Sequence, residues 1–322
     1  MNTAQSRNKI KILLVGAGKM AQDYFQVLKD LEVDVTVFCR SKESANNFKN
    51  RTRFDALYGN LEDFVRSKSF DKAIVAVDIE NLYLVSEIAV NANIKEILVE
   101  KPGGSDGNEI SNLAELALVK DTRIFVGYNR RFYSSTLKTK EIIKEDGGVL
   151  SFSFEFTEWA TKIGDLGYSK RIYENWFINN SSHVVDMAFY LCGCPKELHA
   201  QVSGQGLVSW HPSASIFYGS GKTFDDTPFN YKANWAGQGR WGVEVITRKR
   251  KLILQPLEEL KFIKVNELDT HEFQLEDTLD NKYKPGLYLQ TEAFLDSNYE
   301  NLCSIEEQNE SLRFLNSIAG YV

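Results

Sequence analysis

Between Lys9 and about Gly127, five short runs rich in β-branched residues (KIKILLVG, VDVTVFC, KAIVAV, EILVE and RIFVG) alternate with stretches such as AQDYFQVLKDLE and LYLVSEIAVNAN, whose apolar residues recur at helical spacing. Strand and helix repeated in this way predict a parallel sheet covered on both faces, a doubly wound α/β domain of Rossmann type. From Asn129 onward the pattern changes. A helix over 134–145 leads through Gly147-Gly148 into the alternating strand VLSFSFEF, and a second helix follows near 181–192. Then come KELHAQVSG, SASIFYGSG, NYKANWAG, GVEVITR and KLILQ, separated by turn residues. Strands joined by hairpins predict a mainly antiparallel sheet, hence an α+β second domain. A length of 322 residues suits two domains. The expected division is 1–128 for the first and 129–322 for the second. All five tryptophans (159, 176, 210, 235 and 241) fall in the second, where amphipathic aromatics suit a subunit interface, a sugar-like ligand or ordinary packing.

The strongest local signal is Gly16-Ala17-Gly18-Lys19-Met20-Ala21, a G-x-G-x-x-A loop after a strand and opening a helix. Gly16 permits the tight turn, Gly18 lets a pyrophosphate approach the backbone, and small Ala21 lets helix and strand pack closely. The helix N-terminus supplies amide donors. Lys19, Met20 and Asp78 are counted with this dinucleotide site. A second match, Gly237-Gln238-Gly239-Arg240-Trp241-Gly242, precedes a strand and not a helix, so it reads as a hairpin or strand kink. Where an NAD site usually places an acid, at the end of the second strand, this chain has Cys39-Arg40-Ser41-Lys42. Arg40 and Ser41 suit a 2′-phosphate, which favours NADP over NAD.

Glu100-Lys101-Pro102 closes another strand and places Lys101 at the carboxyl edge of the sheet, the side on which open α/β sheets bind ligands. A lysine there can polarise a reacting oxygen. The glycine loop, Glu100-Lys101-Pro102 and Gly127-Tyr128-Asn129-Arg130-Arg131-Phe132 occur in an order and spacing that resemble the glucose–fructose oxidoreductase / inositol dehydrogenase family, Gfo/Idh/MocA. The helix from His183 through Asp186 to Cys192-Gly193-Cys194-Pro195 resembles that family's H-x-x-D helix ending in G-x-P. The resemblance implies a large open sheet in the second domain, hydride transfer at sugar-like hydroxyls, and a homodimer or homotetramer built through those sheets. It carries the family lysine to Lys101, with Glu100 beside the cofactor, and the family histidine to His183. Four residues before it, where members commonly place an acid, stands Asn179. Asparagine can orient an imidazole or a substrate hydroxyl but cannot stabilise an imidazolium as a carboxylate does. Asp186, three residues on, is a partial substitute on the same seam. Arg130, Arg131, Tyr168, Arg171 and Trp176 flank these motifs and suit an anionic or nucleotide-linked sugar.

Composition narrows the alternatives. With 43% apolar and 25% charged residues the chain is an ordinary globular one, and a net charge of −6 is a poor start for nucleic-acid binding. No apolar run approaches a membrane span, residues 1–9 carry no signal-like stretch, and four scattered cysteines suit a reducing cytoplasm. Cys192 and Cys194 are too close for a standard zinc half-site, so no metal is expected. The run Arg248-Lys249-Arg250-Lys251 between two strands reads as a solvated hairpin turn. The expected function is an NADP-dependent oxidoreductase of a carbohydrate or nucleotide-linked sugar. Asn179 keeps open a non-catalytic, cofactor-binding regulator or scaffold of the same fold. Reduction of a non-sugar carbonyl or imine is a further alternative.

Overall fold

A computed structural model describes residues 10–321. The polar segment 1–9, read above as lacking a signal, lies outside the described residues. The chain forms two compact units: residues up to Asn129 together with Leu279–Glu310, and Arg130–Thr278 together with the segment from Ser311.

In the first unit the elements follow the predicted alternation: β1 (Lys11–Val15), α1 (Lys19–Asp30), β2 (Asp34–Cys39), α2 (Lys42–Thr52), β3 (Leu57–Tyr58), α3 (Leu61–Arg66), β4 (Lys72–Val75), α4 (Leu82–Asn91), β5 (Glu96–Val99), α5 (Gly107–Lys120) and β6 (Arg123–Val126). The parallel strands lie in the order β6-β5-β4-β1-β2-β3, so the chain reverses direction across the sheet between β1 and β4. Ile12, Leu13, Leu14, Ala73, Ile74, Val75, Ile97, Leu98 and Val99 are all within 4% of complete burial, as strands covered on both faces require.

The second unit opens with α6 (Ser134–Glu145) and β7 (Ser151–Phe156), followed by two short helices, α7 (Ala160–Gly164) and α8 (Lys170–Glu174). A π-helical turn over Phe177–Ser181 leads into α9 (Ser182–Cys192). The strands β8 (Pro195–Ser203), β9 (Ile216–Thr223), β10 (Pro228–Asn234), β11 (Trp241–Ile246), β12 (Arg250–Leu254), β13 (Lys261–Lys264) and β14 (His271–Glu272) complete an eight-stranded sheet with β7. It is antiparallel apart from the β7–β10 pair. The second glycine match runs into β11 with no helix. Thr247, Lys249 and Arg250 at the next hairpin all reach the buried carboxylate of Asp146.

Most aromatic residues of this sheet face inward, with Tyr218 on β9 exposed. Phe152 and Phe154 meet Phe189 of α9 edge-on, and Phe229 and Tyr231 alternate with exposed Asn230 and Lys232 along β10. The other face carries cross-strand ion pairs, Lys232 with Glu155 and Lys251 with Glu244. That face therefore mixes charged pairs with apolar side chains, Tyr218 beside Lys232, Ile246 beside Lys251 and Ile253 beside Glu244.

The segment 279–310 departs from the expected division, which assigned it to the second domain. It contributes α11 (Leu287–Leu295) and β15 (Cys303–Ser304) to the first unit, after the short α10 (Thr278–Lys282) and before α12 (Ile305–Ala319). β15 pairs antiparallel with β6, and α11 packs on α1. Buried Lys72 on β4 donates to the carbonyl of Phe294 at 2.6 Å and to Ser297 Oγ at 3.0 Å, and pairs with Glu96 at 2.5 Å. A charge so deeply placed is tolerated because each of its donors is met.

Candidate functional site

A cavity of about 950 Å³ opens at the carboxyl ends of β1, β2 and β4, at the point where the strand order reverses. Its floor is the loop from Val15 to Met20. Gly16 has φ +131°, and a Cβ there would lie 2.2 Å from the Ala76 carbonyl oxygen, so only glycine fits. Around Gly18 nothing lies within 4 Å of a built Cβ, which leaves the backbone open to a ligand. Gly18 is also the N-cap of α1 and brings no capping side chain, so the first amides of that helix keep their donors available. This combination suits the pyrophosphate of a dinucleotide.

Of the cofactor residues expected from sequence, Gly16, Gly18, Lys19, Met20, Arg40 and Asp78 line this cavity. Ser41 instead caps α2, its Oγ accepting from the Ser44 amide at 3.2 Å. The Glu100 carboxylate is turned inward and accepts from Tyr24 at 2.7 Å, while Gln290 donates to that phenol at 2.9 Å. Burial, then the negative charge of Glu100, pushes the Tyr24 phenol well above its ordinary value. Lys101 opens the turn after β5, whose Gly103 amide returns to the Glu100 carbonyl. Ser44, Asn47 and Arg51 were not anticipated, yet all three line the cavity beside Arg40. Their spacing of three and four residues is the signal: it puts them on one face of α2.

The second unit holds a cavity of about 500 Å³. Of the five flanking residues expected from sequence to contact substrate, Arg130, Tyr168 and Trp176 line it; Arg131 is buried against Asp186 and Arg171 is exposed, and neither does. Trp241 forms another wall, its ring centroid 6.3 Å from that of His183, and the Arg130 guanidinium lies 5.0 Å from the same ring. Tyr168 and Trp176 meet with centroids 5.8 Å apart.

His183 and Asn179 are both buried, at 5% and 1% exposure. A π-helical turn over Phe177–Ser181 runs directly into α9, so Asn179 and His183 are not carried by one unbroken α-helix. The Asn179 amide donates to the Ile172 carbonyl at 3.3 Å, and it is the next residue, Asn180, that lines the cavity. Asp186, expected to support His183, is gripped by Arg131, whose Nε donates to Oδ2 at 3.0 Å and Nη2 to Oδ1 at 2.5 Å. The carboxylate that sequence reasoning missed is Glu158, just past the end of β7. It lines the cavity at 6% exposure, and its Oε1 accepts from Asn180 at 2.9 Å and from Ser181 Oγ at 2.7 Å.

Comparison with known proteins places this geometry. Residues 10–128 match the family model of the GFO_IDH_MocA oxidoreductases, described as an oxidoreductase family with an NAD-binding Rossmann fold. An uncharacterized oxidoreductase of Schizosaccharomyces pombe is 25% identical over 206 residues, 61% of this chain; the match spans only about half, 55%, of that relative. Among solved structures, an oxidoreductase from Agrobacterium radiobacter in complex with NAD+, L-tartaric acid and magnesium superposes with a TM-score of 0.79 at 12% identity, covering 97% of this chain and 96% of that one. The UDP-N-acetylglucosamine 3-dehydrogenase of Acidithiobacillus ferrooxidans gives a TM-score of 0.72 at 14% identity, covering 97% of each. With its glycine loop at the β1–β4 switch point, the first unit matches the NAD-binding Rossmann domain of the Gfo/Idh/MocA oxidoreductases over residues 10–128, and the whole chain, with its second, mainly antiparallel sheet, shares the fold of these solved oxidoreductases.

Proposed function

We propose that this protein is an NADP-dependent oxidoreductase that moves a hydride to or from a carbon bearing a hydroxyl on a sugar-like substrate. The observation that carries the reading is the first cavity. Its glycine loop and uncapped α1 N-terminus suit a pyrophosphate, and its far wall brings together Arg40, Ser44, Asn47 and Arg51 with no acid at the end of β2. Two guanidiniums and two small polar side chains favour a phosphate on the adenosine ribose over a bare hydroxyl pair. A nicotinamide bound by such a site supplies or accepts the hydride.

The chain's own residues handle the proton. His183 takes the hydroxyl proton during oxidation and returns it during reduction, Lys101 polarises the reacting oxygen, and Asn179 orients its neighbours on the turn before α9. Sugar dehydrogenation by one structural relative supports a polyhydroxylated substrate, as do the aromatic walls around Arg130.

The test is calorimetry with NADPH and NADH, followed by a screen of hexoses and nucleotide sugars with cofactor absorbance as the readout. Tighter binding of NADPH and turnover of at least one sugar are expected. Equal affinities for the two cofactors would remove the NADP assignment, and a cofactor-binding protein that turns over nothing in the screen would instead be a regulator of the same fold.

A further inference from the structure

We infer that the cavity of the second unit binds a sugar bearing a negative charge, a carboxylate or a phosphate, with Arg130 as the group that reads the charge and Glu158 as the group that reads the hydroxyls. The inference deepens the proposed function and rests on it only in taking this ligand to be the substrate.

Two buried donors beside this cavity meet no acceptor among the described residues. Trp176 is 6% exposed, and its indole N–H, which can only donate, meets no acceptor among the described residues. By contrast, Trp159, Trp210 and Trp235 donate to the carbonyls of Gly239, Ala160 and Phe156. Arg130 Nε is likewise buried without an acceptor. Its guanidinium lies over the rings of Trp241, at 5.0 Å, and Tyr133, at 5.8 Å. Rings satisfy the faces of a guanidinium, but its N–H groups point outward in the plane, and a buried donor left unmet carries a free-energy cost. A ligand oxygen in that plane removes the cost. A charged oxygen does so more strongly than a neutral one, because the opposite charges also attract across a poorly solvated cavity.

The surrounding charge points the same way. The chain carries a net charge of −6, yet Lys162 and Arg240 join Arg130 at this cavity, against Glu158 and Glu258. Glu158 is held in place by Asn180 and Ser181. A carboxylate fixed at the wall of a cavity with aromatic sides accepts from ligand hydroxyls, which an anion without hydroxyls lacks. Aromatic rings, in-plane donors and one fixed acceptor together describe an acidic sugar.

The test is calorimetry on the full chain loaded with NADPH, titrated with D-glucuronate, D-glucose 6-phosphate and D-glucose. At least one charged sugar should bind ~10-fold or more tighter than glucose, and that margin should shrink as salt rises. Whichever charged sugar gains more identifies carboxylate or phosphate as the preferred anion. Arg130→Gln should abolish the margin while NADPH affinity holds, and Arg130→Lys should keep part of it. Glu158→Gln should weaken charged and neutral sugars by a similar factor. Glucose binding as tightly as both charged sugars, a margin that survives Arg130→Gln, or no binding by any of the three would overturn the inference. Charged sugars that bind as expected but are never oxidised or reduced would defeat the oxidoreductase reading and leave this cavity's ligand class standing.

Discussion

Arg40 and Arg51 reach one cavity from different elements, Arg40 from the end of β2 and Arg51 from the last turn of α2. Only the first was legible in the sequence, because the place where a ribose is read follows directly from the glycine loop. The second depends on which face of α2 turns inward. If both contact a 2′-phosphate, Arg40→Ala and Arg51→Ala should each reduce the preference for NADPH over NADH by roughly 1.5–3 kcal/mol, with NADH affinity little changed. Calorimetry on the two variants checks this, and a preference that survives both substitutions refutes it. Chemistry is probed separately. Lys101→Ala and His183→Ala should each lower turnover at least ~10²-fold with NADPH affinity nearly intact, the loss expected of a positioned proton-transfer group. Asn179→Asp should shift the pH–rate profile by placing a carboxylate on the turn before His183. Turnover that persists without Lys101 and His183 would exclude them from the reaction.

The elements of the parallel sheet were legible because β-branched runs and helical spacing are local signals. β1, β2, β4, β5 and β6 fall on the five runs, and α6 spans 134–145 as expected. Two features were not legible. A π turn leaves no periodic trace over five residues, so the seam expected for Asn179 and His183 came from assuming an unbroken helix. A two-residue strand such as β15 has no pattern of its own, and its partner β6 lies far away in sequence. The contact that secures the returning segment yields a pH prediction. Burial works against ionised Glu96, but hydrogen bonds from Lys72 and Tyr299, with the charges of Lys72 and Arg123, hold its carboxyl below the usual range. A carboxyl whose pKa is lowered by folding stabilises the fold above its unfolded value, near 4.3 for glutamate, and loses that contribution as pH falls through the folded value. Denaturant midpoints should therefore fall on acidification below about pH 4.3, more steeply in the unmutated chain than in Glu96→Gln. Parallel pH profiles for the two would assign the acid sensitivity elsewhere.

At the scale of the whole molecule, self-association and domain division can both be tested. A homodimer or homotetramer built on the free sheet face would bury cross-strand pairs such as Lys232–Glu155 and Lys251–Glu244 along with Tyr218. Light scattering should then show the mass falling towards the monomer as salt screens those charges; a mass indifferent to salt would place any association on another surface. The division into units makes a stronger demand. A fragment ending at residue 128, where the sequence pattern changes, would lack α11 and β15. Phe294, fully buried and edge-on to Phe125, would be missing from the core. Lys72 would lose the Phe294 carbonyl and Ser297, and β6 would become an unprotected edge open to pairing with other chains. Lost packing from a buried phenylalanine alone is worth about 3–5 kcal/mol, comparable with the whole stability of a small domain. The fragment 10–128 should therefore aggregate or melt without cooperativity. Joining 279–310 to it through a glycine–serine linker should restore a cooperative transition and NADPH binding, both readable by circular dichroism and calorimetry. A fragment 10–128 that melts cooperatively and binds NADPH as tightly as the full chain would show that the returning segment is dispensable for the fold it completes.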